Sequence, residues 1–223
     1  MSVELKKRII TSFLLIILLI FMSFYNYVLI SSLIIIGIIA WIESYALISK
    51  IYKKKNYKNI ILRFIFKAIS LLYLSYLVFI IIHSKLNISD LYILIMYSIL
   101  ISIMSDIGGL TVGKIFKGKK LTKISPKKTI SGSIGSFVFS LFLIPFFFNF
   151  LNSYLNMSLF DIVLITLSIS FISQLGDLFI SLIKRKANVK NTSDLLPGHG
   201  GILDRVDGII FAIPLGNLLF NLF

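Results

Sequence analysis

The chain has 223 residues, of which 57% are hydrophobic and only 14% are charged, and it contains no cysteine. Soluble domains carry about 25% charged residues, so this composition excludes an ordinary soluble protein and predicts a membrane protein with several spans. The formal net charge of +14 would suggest nucleic-acid binding in a soluble protein, so its distribution along the chain decides its meaning.

The predicted spans begin near the N-terminus. The segment Glu4 to Arg8 precedes an apolar run as in a signal peptide, but no small-residue cleavage site follows, and we predict a retained first span. A span needs about 20 mostly apolar residues. Seven stretches meet or approach that length: Ile9 to Phe24, Val28 to Ile48, Ile60 to Ile82, Leu91 to Val112, Ile134 to Phe150, Ile162 to Ile183 and Gly208 to Phe223. The fold class expected is therefore all-α, a polytopic transmembrane helix bundle.

The basic residues indicate the orientation of this bundle. With a cytoplasmic N-terminus, every Lys and Arg except Lys85 falls in a cytoplasmic segment, counting Arg63 and Lys67 at the cytoplasmic start of the third predicted span. That distribution follows the positive-inside rule, and it predicts seven spans with the N-terminus in the cytoplasm. Because topology accounts for most of the positive charge, no nucleic-acid partner is predicted. The long polar loops, from about Lys114 to Gly132 and from Lys184 to Asp207, are both cytoplasmic in this arrangement.

Three carboxylates lie inside predicted spans: Glu43, Asp106 and Asp177. Each precedes its cytoplasmic loop by seven or eight residues, about 10 to 12 Å of helix. Charged residues at membrane depth are costly and usually mark functional sites. The simpler explanation is a single interhelical hydrogen bond or ion pair, and it weighs most for Glu43, since further polar residues surround the other two acids.

Two more acids, Asp204 and Asp207, lie three residues apart at the start of the last predicted span. On a helix this spacing places both on one face, where they could bridge a hard cation through oxygen ligands. They follow the sequence Pro197-Gly198-His199-Gly200-Gly201, which predicts a tight turn. The N-H groups at the following helix start are then expected to form an anion pocket. Favourable interaction with the helix dipole would explain one of the two acids without any ligand.

The other cytoplasmic loop is rich in lysine and hydroxyl groups, with Ser125, Lys127, Lys128 and Thr129 close together. Such groups suit phosphate, although a basic loop can equally serve topology and contact with anionic lipid. Together the two loops combine carboxylates for a divalent metal with bases for phosphates at the cytoplasmic membrane boundary. This combination favours phosphoryl or nucleotidyl transfer to a lipid.

At this point the residues resemble a known family. The segment Ser181 to Arg185, then Lys190, then Leu196 to Asp207 is similar to the signature of the phosphatidate cytidylyltransferases, also called CDP-diacylglycerol synthases. The segments Ser173 to Leu178 and Ile124 to Thr129 are similar to other segments of that family. The chain departs from the family pattern at Asn191, where an Asp is usual, and at Leu110.

The resemblance implies condensation of CTP with phosphatidic acid to give CDP-diacylglycerol and pyrophosphate. It implies one membrane domain over residues 1–223, with N-terminal spans in 1–104 and the catalytic half in 105–223. It also implies location in the bacterial plasma (inner) membrane, an active site toward the cytoplasm, contact with the lipid bilayer, and a homodimer.

The resemblance also implies roles for individual residues. The expected metal ligands are Asp177, Asp204 and Asp207, which would hold Mg²⁺ together with a second cation, with support from Asp106. The expected catalytic groups are these first three acids with Lys184 and Arg185. The expected substrate-binding groups are Lys127, Lys128, Ser181, His199 and Arg205.

Three other functions compete with this one. A CTP-dependent lipid or polyprenol kinase would transfer the γ-phosphoryl group and release CDP. An ion-coupled transporter would place acids at the membrane midplane on broken helices and show internal repeats, and no repeat is evident here. A structural membrane protein with basic loops would need no catalytic acid.

Overall fold

The computed structural model describes residues 13–14, 17–18, 20–22, 24–122, 124–197 and 200–222. From Asn26 onward, all regular elements among these residues are helices, which confirms the predicted all-α class. They are α1 (Asn26–Ile51), α2 (Tyr57–Asn87), α3 (Ser89–Phe116), α4 (Ile130–Leu141), α5 (Ile144–Leu155), α6 (Leu159–Lys186), α7 (Leu203–Val206) and α8 (Ile209–Phe220).

Four helices, α1, α2, α3 and α6, are long and apolar enough to cross a membrane. The pair formed by α4 and α5 adds a fifth crossing if the two helices are one bent span. The second, third, fourth and sixth predicted stretches lie within the four long helices. Half of the first predicted stretch, Ile9 to Phe24, lies outside the described residues. The described part of the chain is thus helical and contains four or five candidate membrane spans.

The fifth predicted stretch, Ile134 to Phe150, is not one straight helix. The chain bends by 54° between α4 and α5, and Pro145 lies in the first turn of α5. Proline has no N-H to donate to the carbonyl four residues earlier, here that of Leu141 at the end of α4, which explains a break at this place. The last stretch yields only the 12-residue α8. At 1.5 Å per residue α8 is about 18 Å long, shorter than a hydrocarbon core of about 30 Å.

The chain forms two compact units. The first, which we call the α1 unit, contains the described residues up to Ile82 together with Ile183–Val206. The second, which we call the α3 unit, contains His83–Leu182 and the chain from Asp207 onward. Each unit therefore contains residues from both sides of position 105, where the sequence suggests a division.

Helix α3 is the centre of the α3 unit, and it crosses α4 at a contact between glycines. A Cβ atom on Gly108 would lie 2.4 Å from the carbonyl oxygen of Gly135. A Cβ atom on Gly135 would lie 2.4 Å from Cβ of Val112. Small residues let membrane helices approach closely and gain van der Waals contact, which replaces the hydrophobic driving force that is absent between helices in lipid.

Hydroxyl groups supplement this packing inside the α3 unit. The hydroxyls of Ser102 and Ser173 lie 2.7 Å apart between α3 and α6, and both side chains are fully buried. Tyr97 and Thr166 form a second such pair, also at 2.7 Å. Buried hydroxyls need partners, and these interhelical pairs supply them. The surrounding core is aliphatic and aromatic and includes Leu94, Ile101, Leu151, Ile165, Ile169 and Phe220.

In the α1 unit, one face of α1 is buried and carries Ala40, Glu43 and Leu47. Their spacing of three and four residues places them along one side of the helix. Large apolar side chains on other faces, such as Ile35, Ile38 and Ile42, are exposed, as is typical of a surface that meets lipid. The carboxylate of Glu43 is therefore directed inward, toward the segment before α7.

We expect Gly135→Leu to destabilise the protein, because its side chain would overlap Val112 and the backbone of α3. Overpacking of this kind costs about 1–3 kcal/mol. Thermal unfolding in detergent should show a lower midpoint for this variant. Val138→Leu, on an exposed position of α4, is the matched control and should unfold like the wild type. Equal midpoints for Gly135→Leu and the wild type would contradict the close crossing.

Candidate functional site

Asp204 accepts hydrogen bonds at both of its carboxylate oxygens. In the α1 unit its Oδ1 accepts a hydrogen bond from Nζ of Lys184 at 2.6 Å. Its Oδ2 accepts bonds from the backbone N-H of Thr192 at 2.8 Å, the hydroxyl of Thr192 at 3.0 Å and the N-H of Gly201 at 3.1 Å. The side chains of the Lys184–Asp204 pair are only 12% and 9% exposed. Asp204 thus holds together the end of α6, the following loop and the start of α7.

The same contacts determine the ionisation of Asp204. Partial burial opposes the charged form, but the hydrogen bonds from Lys184, Thr192 and Gly201 and the charge of Lys184 outweigh it, so the pKa of Asp204 is lowered. The carboxylate is therefore ionised at neutral pH, and Lys184 balances its charge.

Glu43 is a second carboxylate that binds the same loop. Its Oε1 accepts hydrogen bonds from the hydroxyl of Ser193 at 2.6 Å and the N-H of Ile202 at 3.0 Å. Its Oε2 accepts bonds from the hydroxyl of Thr192 at 2.7 Å and the N-H of Leu203 at 2.8 Å. The Glu43 residue is only 4% exposed. Its partners are loop groups, so it is more than the single interhelical contact that the sequence suggests.

The two carboxylates accept hydrogen bonds from the backbone N-H groups that the sequence predicts to bind an anion. The N-H of Gly201 binds Asp204, and the N-H groups of Ile202 and Leu203 bind Glu43. A Cβ atom on Gly201 would lie 2.0 Å from the hydroxyl of Thr192 and 2.5 Å from Oε2 of Glu43. The glycine is required because no side chain fits in this space. The anions at this helix start are the protein's own carboxylates.

Two backbone hydrogen bonds join Leu196 and Gly200 across the predicted tight turn before α7. The N-H of Leu196 donates to the carbonyl of Gly200 at 2.9 Å, and the reverse bond measures 3.1 Å. The predicted substrate-binding residue His199 lies outside the described residues, as does Gly198. Arg185 and Arg205, predicted to bind phosphates, are both exposed.

In the α3 unit, Asp177 is the centre of a second group of predicted residues. Its Oδ2 forms an ion pair with Nζ of Lys128. Its Oδ1 accepts a long hydrogen bond of 3.4 Å from the hydroxyl of Ser181, one helical turn further along α6. The side chains of the ion pair are 26% and 22% exposed, so this carboxylate remains accessible.

The loop between α3 and α4 presents Lys128 through its own backbone bonds. The N-H of Leu121 donates to the carbonyl of Lys128 at 2.8 Å, and the N-H of Lys128 donates to Ser125 at 3.0 Å. Thr129, considered above as a phosphate donor, caps α4 by accepting the N-H of Gly132 at 3.1 Å. Lys127 is exposed beside this ordered turn.

Asp207 is buried and lies against the helix that carries Asp177. A Cβ atom on Gly176 would lie 2.8 Å from the carbonyl oxygen of Asp207 and 2.5 Å from the ring of Phe211. A Cβ atom on Gly208 would lie 2.5 Å from the hydroxyl of Ser173. The dipeptides Gly176-Asp177 and Asp207-Gly208 are thus brought together by the lack of side chains on both glycines.

The expected helical face shared by Asp204 and Asp207 is not found. Helix α7 has only four residues, and Asp207 lies in the turn that separates it from α8. Asp106, predicted as a supporting ligand, is exposed on α3.

Within the part of the chain that the structure describes, no three carboxylate or imidazole side chains converge as a metal-binding group. The two best-placed acids, Asp177 and Asp204, are each paired with a lysine instead. Metal binding by Asp106, Asp177, Asp204 and Asp207 therefore stays a prediction.

Sequence reasoning did not include Glu43 and Thr192 among the site residues. The position of Glu43 inside a predicted span indicates that its carboxylate has a polar partner. Nothing in the sequence shows that this partner is a loop about 150 positions later. Thr192 has a hydroxyl within bonding distance of both Glu43 and Asp204, and it carries no motif of its own.

We expect the stabilising effect of Asp204 to disappear in acid. Because its folded pKa is lower than the unfolded value of about 3.9, its contribution is fully present above about pH 4 and is lost as the pH falls through the folded pKa. Thermal unfolding of wild type and Asp204→Asn should differ at neutral pH and converge in acid. Asp194→Asn, which alters an exposed acid of the same loop, is the control and should match the wild type throughout. A constant gap between wild type and Asp204→Asn would contradict the ionised pair.

Known proteins are similar in sequence to this chain over more than half of its length. A phosphatidate cytidylyltransferase of Staphylococcus haemolyticus (strain JCSC1435) is 40% identical over 126 residues, which cover 56% of this chain and 48% of that protein. The protein of the same name from Staphylococcus aureus (strain COL) is 42% identical over 126 residues, with the same coverage. The one from Bacillus subtilis (strain 168) is 41% identical over 130 residues, which cover 58% of this chain and 48% of that protein.

The chain thus matches about half the length of these curated relatives. The sequence model of the cytidylyltransferase family matches residues 3–223, almost all of the chain. The chain therefore belongs to the cytidylyltransferase family.

Proposed function

We propose that this protein condenses CTP with phosphatidic acid and releases pyrophosphate, leaving CDP-diacylglycerol in the membrane. The observation that carries the proposal is membership of the cytidylyltransferase family, together with relatives about 40% identical that are named phosphatidate cytidylyltransferases. The two lysine–carboxylate pairs, Lys184–Asp204 and Lys128–Asp177, lie in the segments that carry the family signature and support it further.

The chemistry needs no nucleophile from the protein. A phosphate oxygen of phosphatidic acid attacks the α-phosphorus of CTP, and the bond from that phosphorus to the oxygen bridging to the β-phosphorus breaks. The electron pair leaves with pyrophosphate. Catalysis then consists of positioning the two anionic substrates and neutralising their charge.

The residues of this chain suit those tasks by their chemistry. Lys127, Lys128, Lys184, Arg185 and Arg205 would neutralise phosphates, while Ser181 and His199 would orient them. Lys128 and Lys184 each form an ion pair with a carboxylate, which orients the ammonium group until a phosphate competes for it. A lysine released in this way would leave its carboxylate available as a ligand.

The carboxylates Asp106, Asp177, Asp204 and Asp207 fit Mg²⁺ by donor type, because hard divalent cations prefer oxygen ligands. Asp177 fits best, since its ion pair is partly exposed and its bond from Ser181 is long at 3.4 Å, whereas Asp204 accepts four hydrogen bonds of 2.6 to 3.1 Å. When bound, Mg²⁺ with a second cation would supply charge neutralisation on the phosphates.

The setting of the reaction is part of the proposal. The diacylglycerol chains remain in lipid while CTP arrives from the cytosol, so an active site toward the cytoplasm of a bacterial plasma membrane suits both substrates. The predicted seven spans, the cytoplasmic N-terminus and the homodimer belong to this proposal as well.

The bent pair of helices bears on the transporter alternative. Transporters build ion sites at broken helices, but the sequence from Ile130 to Leu155 contains no acid. The break between α4 and α5 therefore lacks the carboxylate that such a site would use.

The test combines purified protein, phosphatidic acid, Mg²⁺ and CTP labelled at the α-phosphorus. We expect label in the lipid and pyrophosphate in solution. Asp177→Asn should lower the rate by about 10²–10³-fold, the usual effect of removing one charge-stabilising group. Asp161→Asn is the matched control, because it alters another acid of α6 that bonds only to nearby Ser158.

Two outcomes would contradict cytidylyl transfer. If the label stayed in soluble CDP while the lipid gained an unlabelled phosphate, the protein would be a CTP-dependent kinase. If folded wild-type protein transferred nothing from CTP, the proposed activity would be wrong.

The topology can be tested with thiol labelling, because the chain has no cysteine of its own. Lys85→Cys should react with a membrane-impermeant maleimide added outside intact cells, and Lys120→Cys should react only after the membrane is opened. The reverse pattern would contradict a cytoplasmic N-terminus.

A further inference from the structure

The hydrogen bonds of Glu43 indicate a role for this residue that the proposed function does not include. We propose that Glu43 is a positioning residue, which fixes the loop from Thr192 to Leu203 against α1 and thereby sets the position of Asp204 and its partner Lys184. The inference rests on the proposed function, since it assigns Glu43 a task in that reaction.

The sequence separation of its contacts distinguishes Glu43 from Asp204, whose four donors lie within 20 positions of it. Four donors converge on Glu43, two at each oxygen: the hydroxyls of Ser193 and Thr192, and the backbone N-H groups of Ile202 and Leu203. All four lie between 149 and 160 positions from Glu43 in the sequence. An acid placed in an apolar helix is costly unless its oxygens are satisfied in this manner.

Thr192 connects this anchor to Asp204. Its hydroxyl lies 2.7 Å from Oε2 of Glu43 and 3.0 Å from Oδ2 of Asp204. A hydroxyl has one hydrogen to donate, so both carboxylates share this single group. The backbone N-H of Thr192 binds Asp204 as well. A displacement of the loop from Glu43 therefore moves two of the donors that orient Asp204.

Gly201 shows that the arrangement depends on close fit. A Cβ atom at this position would overlap Thr192 and both oxygens of Glu43, at 2.0 to 2.6 Å. At the helix start that follows, the N-H groups of Ile202 and Leu203 donate to Glu43. The loop reaches its position by binding α1, which places Asp204 relative to Lys184.

Substitution of Glu43 by Gln tests this inference with little change in shape. An amide has one oxygen, and its NH₂ group faces two donors that previously bonded to a carboxylate. A hydroxyl can rotate to accept from NH₂, but a backbone N-H cannot. One of the N-H groups of Ile202 and Leu203 therefore loses its acceptor. We expect faster hydrogen exchange at that amide.

Lys184 provides a second measurement that does not depend on activity. The Lys184 side chain is paired with Asp204 and only 12% exposed, so a small amine-reactive acylating reagent should modify it slowly. The exposed Lys186 on the same peptide is an internal reference. In Glu43→Gln we expect the ratio of Lys184 to Lys186 labelling to rise severalfold.

In the cytidylyl-transfer assay, Glu43→Gln should lower kcat by up to about a hundredfold, as expected for misplacement of a catalytic group by about 1 Å. Thr192→Ser, which keeps the shared hydroxyl, should retain more activity than Thr192→Val. Asp161→Asn is the control. Asp161 also accepts hydrogen bonds from a serine hydroxyl and a backbone N-H near a helix start, but it lies outside this loop. The control should change neither kcat nor Lys184 labelling.

The possible results separate this inference from the proposed function. Faster exchange, higher Lys184 labelling and lower kcat together would support positioning by Glu43. Unchanged exchange and labelling in Glu43→Gln would overturn it, and so would altered exchange with full kcat. If the wild type transfers no cytidylyl group, the proposed function fails. Amide hydrogen exchange and Lys184 labelling in Glu43→Gln would then still show whether Glu43 holds the loop and the Lys184–Asp204 pair.

Discussion

The loop that carries Asp204 depends on hydrogen bonds to two buried carboxylates. Glu43 and Asp204 together accept the backbone N-H groups of Thr192, Gly201, Ile202 and Leu203. A loop of this length cannot satisfy these groups with regular secondary structure, and unpaired buried N-H groups are costly. The two acids thus have a structural role as acceptors for the loop backbone, and any chemistry at Asp204 depends on the loop position that these hydrogen bonds set.

The cost of those acids explains why lysines accompany them. A buried carboxylate keeps its charge only if a cation or several donors compensate for the lost hydration. Lys184 compensates Asp204, and Lys128 compensates Asp177 with more exposure to solvent. The same ammonium groups suit phosphate, so one pair can stabilise the ligand-free protein and present a cation to an anionic substrate.

Close helix contacts position the second group of residues in the α3 unit. Gly176 lets α6 touch the backbone at Asp207, and Gly108 lets α3 touch α4 next to the loop that presents Lys128. Hydroxyl pairs such as Ser102 with Ser173 fix the register of these helices. In a membrane, where apolar surface alone does not drive helices together, such contacts provide the specificity of packing.

The sequence by itself determined the helical class, most of the candidate spans and the segments that carry the family signature, because hydropathy and a long motif are local properties of the chain. It also predicted the turn closed by Leu196 and Gly200. Only the tertiary structure decided that α4 and α5 form a bent pair, that Asp207 leaves the helix of Asp204, and that Glu43 binds Thr192 and Ser193. The contacts of Glu43 join residues about 150 positions apart, and no spacing within one segment encodes them. Pro145 marks the place of the bend in the sequence, but the sequence does not give its angle.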